Sequence, residues 1–125
     1  MARVYLDTNF LIDIAEKRDN IRIRDYYQHK IIASSLSFHI LAYTFKYKIP
    51  SDKLKRLVTY FTVVPLSEDI IQKSLSGPIG DFEDNIQLHS AAVAECDYFL
   101  TNDKEILKMK FFGKCEIRNK LNKLT

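Results

Sequence analysis

Two short apolar runs in this chain end in the same way. Val4-Tyr5-Leu6 leads into Asp7-Thr8-Asn9, and Tyr98-Phe99-Leu100-Thr101 leads into Asn102-Asp103. Each reads as a strand, a polar corner and the start of a helix. Phe10-Leu11-Ile12-Asp13-Ile14-Ala15 follows the first corner, and Lys104 to Met109 follows the second. An aspartate at such a corner can cap the helix by accepting from its free N–H groups. It also stands where open α/β sheets bind ligands, beyond the carboxyl ends of parallel strands. The corner alone does not choose between cap and site.

The remaining chain repeats the strand-then-helix order. Residues 3–6 predict a first strand and 9–17 a first helix, with a short helix over 19–29. Lys30-Ile31-Ile32-Ala33-Ser34 predicts a second strand, after which Ser35 or Ser37 can cap a helix running through Phe45. Pro50 ends it, because proline disfavours helix at the preceding residue. A helix over about 51–60 carries Leu54, Leu57, Val58 and Phe61 at helical spacing. Thr62 to Leu66 predicts a third strand near an edge, since Pro65 cannot donate to a ladder. Ser67 caps a short helix to about Leu75, Gly77-Pro78-Ile79-Gly80 is a loop, and a long helix spans 81–94. Tyr98 to Thr101 is the fourth strand and Cys115 to Arg118 a short fifth. Such alternation implies a mostly parallel sheet with helices on both faces.

Three glycines and three prolines in 125 residues leave little room for linkers, so residues 1–125 are expected to form one domain. No apolar run approaches the roughly 18 residues of a membrane helix. Asp7 and Asp13 interrupt the only N-terminal apolar segment, so no signal peptide is expected and the cytoplasm is the default location. Cys96 and Cys115 lack metal-type spacing and are expected to be buried thiols. The net charge of +3 is mild, but the basic residues cluster. Lys46, Lys48, Lys53, Lys55 and Arg56 crowd one stretch. Lys104, Lys108, Lys110, Lys114, Arg118, Lys120 and Lys123 crowd another. Each cluster serves as a solvated face or, beside a carboxylate pocket, as a contact for a phosphate backbone.

Two parallel strands would put Asp7 and Asp103 at one edge of the sheet. Asp81 and Asp84 fall in the first turn of the long helix, where acids also suit the helix dipole. Converging carboxylates repel unless protonated or bridged by a cation. Hard divalent ions such as Mg²⁺ or Mn²⁺ suit such oxygen ligands and support phosphoryl chemistry.

The segments LDTN, DFEDNIQLHSAAVAECD and FLTND, in this order and spacing, resemble a PIN domain, and within it the VapC-like ribonuclease toxins of type II toxin–antitoxin pairs. The resemblance covers nearly the whole chain. It implies a PIN-like α/β/α sandwich around a mostly parallel sheet of four to five strands. It also implies an Mg²⁺- or Mn²⁺-dependent endoribonuclease that cleaves RNA phosphodiester bonds by metal-activated water. A cognate antitoxin and a homodimer are the implied partners besides RNA, with no membrane. Carried over by motif, Asp7, Asp84 and Asp103 would be the catalytic, metal-holding acids. Asn9 and Thr101 would support them by hydrogen bonding, and Asp81 would stand behind them or cap the helix. Lys53, Lys55 and Arg56 are candidates for the RNA strand. One departure stands out. The family usually has a Glu early in the helix after the second strand, whereas this chain has no acid from Lys30 through Ser51 and offers His39. Imidazole suits Mn²⁺ better than Mg²⁺, so His39 is either a ligand or a structural residue. The alternative function is a catalytically weakened module that binds RNA or antitoxin. A phosphatase using Asp7 as a covalent nucleophile ranks below both, because Asn9 replaces the second aspartate such a site uses.

Overall fold

The computed structural model describes residues 1–16 and 23–121. Strand β1 is Arg3–Leu6, β2 Lys30–Ser34, β3 Thr62–Val64, β4 Tyr98–Leu100, β5 Phe111–Phe112 and β6 Cys115–Arg118. Helix α1 is Thr8–Ala15, α2 Ser35–Thr44, α3 Asp52–Thr59, α4 Glu68–Ser76, α5 Phe82–Val93 and α6 Lys104–Met109. The sheet order is β3-β2-β1-β4-β6-β5, parallel except for the antiparallel pair β5–β6. Central β1 pairs with β2 (Tyr5 beside Ile32) and with β4 (Leu6 beside Leu100), so the two aspartate corners are neighbours.

Side-chain alternation along β1 divides the core. Val4 and Leu6 join Phe10, Leu11, Ile14 and Phe38 on the face covered by α1 and α2. Tyr5 points to the other face, with Ile70, Ile86, Leu88 and Ile106 from α4, α5 and α6. There it stacks on Phe99, with ring centroids 5.2 Å apart. A sheet filled from both sides needs near-continuous apolar strands, and β1, β2 and β4 supply them.

The sheet has six strands where four to five were expected. The addition is β5, two residues long and too short for any periodicity. It is joined to β6 by Gly113-Lys114, and Gly113 has φ +61°, as the first residue of a tight two-residue hairpin loop requires. Strand β3 is an edge strand, as Pro65 indicated. The cap of α2 is Ser34, whose hydroxyl accepts from Leu36 N–H, rather than Ser35 or Ser37. Of the helix expected over 19–29, a 3-10 turn at Ile23–Tyr26 is present, and 19–22 lies outside the described residues. Lys17, expected to end the first helix, and Lys123 also lie outside them. Cys96 and Cys115 are free and buried, and burial pushes both thiols up to about 12. Among the described residues no helix is long and apolar enough to cross a membrane.

Candidate functional site

Asp7 is the N-cap of α1. Its Oδ1 accepts from Phe10 N–H at 2.9 Å, which fixes the carboxyl at the end of β1. Asp103 repeats the arrangement on β4 as the N-cap of α6, its Oδ1 accepting from Glu105 N–H at 2.9 Å and Ile106 N–H at 3.1 Å. Thr101 joins the two corners. Its buried hydroxyl donates to Asp7 Oδ2 and accepts from Asp103 N–H at 3.0 Å. Capping engages one oxygen of each carboxylate: Asp7 Oδ2 takes the Thr101 hydroxyl, and the cap of Asp103 uses Oδ1 alone.

The third acid stands at the start of α5, in the layer that also holds α6. Asp81 caps α5 by accepting from Asp84 N–H at 2.9 Å. That bond settles the first turn in which Asp84 sits half-buried. The loop before it is pinned by Asn85, whose amide donates to Ser74 O and Ile79 O and accepts from Ile79 N–H.

These carboxylates act on one another. Asp7 is 7% exposed, and burial pushes its carboxyl up to about 6. The Thr101 and Phe10 hydrogen bonds oppose that rise, and the Asp103 and Asp13 charges add to it. Burial likewise pushes Asp84 up to about 6, helped by Asp81, Asp103, Glu83 and Asp7. Glu83 is raised by burial and by Asp81. None of the described salt bridges, Lys53–Glu16, Lys73–Asp69 and Arg118–Glu116, involves Asp7, Asp84 or Asp103. The result is a concentration of negative charge built from oxygen donors. Among the described residues no three acids, histidines or cysteines are gathered closely enough to enclose an ion by themselves. Mg²⁺ and Mn²⁺ do not require such a cage, since Mg²⁺ keeps several waters and takes one or two carboxylates. The donor chemistry fits a hard divalent ion on that basis.

His39 is not brought to the acids. It is exposed and stacks on Tyr43 at 6.2 Å between centroids. The buried polar residue of α2 is Ser37, two positions and so about 200° away around the helix. Its hydroxyl shares a 2.9 Å hydrogen bond with Thr8 Oγ1 and lies 3.2 Å from Gln87 Oε1, which also accepts from the Tyr5 hydroxyl. This buried chain ties β1, α1, α2 and α5 together directly behind Asp7. Sequence reasoning passed over Ser37 and Gln87. The available signal was spacing, since Gln87 follows Asp84 by three residues and so shares its helix face. Asn9 is exposed in the first turn of α1. Lys53, Lys55 and Arg56 are exposed on α3, toward the far end of α1, where Lys53 pairs with Glu16 at 3.2 Å.

No family model matches the chain, and no curated protein does. Solved structures do match. VapBC2 from Rickettsia felis, solved bound to a DNA fragment from its promoter, superposes with a TM-score of 0.64 at 13% identity over 93% of this chain and 97% of that one. The fold is that of the PIN-domain, VapC-like toxins. A second VapC, Mycobacterium tuberculosis VapC20, described as a sarcin-ricin loop cleaving toxin, also gives 0.64, at 10% identity over 90% and 98%. The VapC-like fold accounts for the whole described sheet, including the adjacent corners that bring Asp7 beside Asp103.

Proposed function

We propose that this chain is a metal-dependent endoribonuclease and the toxin of a toxin–antitoxin pair. The observation that carries the reading is the Thr101 hydroxyl, which fastens Asp7 to the Asp103 corner while Asp84, in the first turn of α5, adds to their charge. Asp7, Asp84 and Asp103 would hold Mg²⁺ or Mn²⁺. When bound, the ion would supply a more acidic water and stabilise the charge that builds on a phosphoryl group. The chain's own part is positional. Thr101 and the α1 N-terminus hold the Asp7 carboxylate, Asp81 sets the turn that presents Asp84, and the Ser37–Gln87–Tyr5 bonds keep α5 against β1. An antitoxin as partner is supported by the R. felis structure, which was solved as a VapBC pair; a homodimer is part of the same proposal. We leave His39 out of the ligand set because its ring faces solvent.

The test is cleavage of structured RNA by the wild type and by Asp84→Asn in Mg²⁺, Mn²⁺ and EDTA. Metal-dependent cleavage lost in the variant supports the reading, and equal cleavage by both proteins removes it. One observation favours a weakened binding module instead, namely that the helix after the second strand carries no acid and that His39, which stands in place of the family Glu, is exposed. RNA binding without cleavage in either metal would select that alternative.

A further inference from the structure

A groove of about 580 Å³ lies along α3, at the other end of α1 from Asp7. Ile14 and Leu57 form its floor. Tyr27 and Tyr60 stand over it as a stacked pair, centroids 6.0 Å apart and planes 25° apart, yet they remain 61% and 46% exposed. Arg24 and Arg56 line the groove, both exposed, and no carboxylate lines it among the described residues. Lys53 also lines it, but its charge is shared with Glu16 and the Tyr47 ring.

Exposed rings side by side bury no apolar core, so the pair offers its outer faces to something else. Flat aromatic faces beside guanidinium groups are what single-stranded nucleic acids use, with bases stacking on rings and phosphates meeting cations. We propose that this groove binds a single-stranded segment of RNA, with a base stacked on the Tyr27–Tyr60 pair and the adjoining phosphates held by Arg24 and Arg56. This rests on the RNA-cleaving reading and gives it a recognition surface. The reach is suitable: Asp7 opens α1 and Ile14 lies near its end, and the eight residues of that helix span about 12 Å, a distance of a few nucleotides. An acidic amphipathic helix would also meet the cations. Such a helix is the competing occupant, and the rings pre-stacked beside guanidinium groups favour RNA.

The experiment uses the full chain carrying Asp84→Asn, so that bound RNA stays intact, and fluorescently labelled single-stranded oligoadenylate read by anisotropy across a salt series. Tyr27→Ala with Tyr60→Ala should weaken binding by about tenfold or more while leaving the salt slope unchanged. Tyr27→Phe with Tyr60→Phe should keep the affinity, because stacking needs only the ring. Arg24→Ala with Arg56→Ala should flatten the log–log salt slope by about 1 to 2. An abasic oligomer of equal length should bind the tyrosine-to-alanine variant and its parent alike. Unchanged oligoadenylate affinity in the tyrosine-to-alanine variant overturns the proposal, as does an acidic helical peptide that binds the groove while RNA does not. The two readings fail separately. Cleavage by the wild type with no effect of the tyrosines sinks the groove alone, and tyrosine-dependent binding without cleavage sinks the nuclease alone.

Discussion

Between its ordinary 3.8 and the value of about 6 that burial imposes, the Asp7 carboxyl keeps a proton in the folded chain that the unfolded chain has released. The folded state binds more protons there, so this group's contribution to stability falls as pH rises through that window and stays low above it. Two units correspond to about 3 kcal/mol. In EDTA, Asp7→Asn should therefore stabilise the protein at pH 7 and do little near pH 4, while the amide oxygen keeps the cap on Phe10 N–H. Urea melts at the two pH values check this, and an equal shift at both would mean that charge burial is not the cause. Thr101→Val, nearly isosteric, should cost about 1–3 kcal/mol, because it leaves Asp103 N–H and the buried Asp7 oxygen short of a partner. It should also raise the Asp7 carboxyl further, readable by NMR titration.

Helix α5 meets β1 and α2 through polar atoms as well as apolar ones. Gln87 is 2% exposed and accepts from both the Tyr5 and Ser37 hydroxyls. Gln87→Leu should cost about 1–3 kcal/mol by stranding those donors, and adding Tyr5→Phe should recover part of that loss. Additive losses in the double-mutant cycle would show that the contact carries no coupling. Helices and strands with apolar runs and cap residues were legible from sequence, and so were the acids at their ends: Asp7, Asp81 and Asp103 are all N-caps. The Ser37–Gln87 contact was not, since a buried polar pair leaves no periodic trace. Nor was the outward turn of His39 legible. With Ser34 as the cap, position 37 turns inward and position 39 outward. Strand β5 was missed because two residues carry no alternation.

For the molecule as a whole, a ligand that binds only the folded state adds stability by mass action. Mn²⁺ at a hundred times its Kd should add about 2.7 kcal/mol, seen as a rise in the thermal midpoint. That rise should shrink in Asp7→Asn, and a rise of equal size in both proteins would remove Asp7 from the ligand set.

The capping role of Asp7 and Asp103 also bears on how such a chain can change over generations. Each carboxylate opens a helix with one oxygen, so a replacement that lacks a side-chain acceptor costs about 0.5–2 kcal/mol of stability along with the charge. Asparagine, serine and threonine still open the helix while giving up the charge. On the proposed reading, the accessible route to a silent holder of RNA or antitoxin runs through uncharged caps at positions 7 and 103, and a descendant on that route would be told apart by Asn, Ser or Thr at those corners in an otherwise intact scaffold.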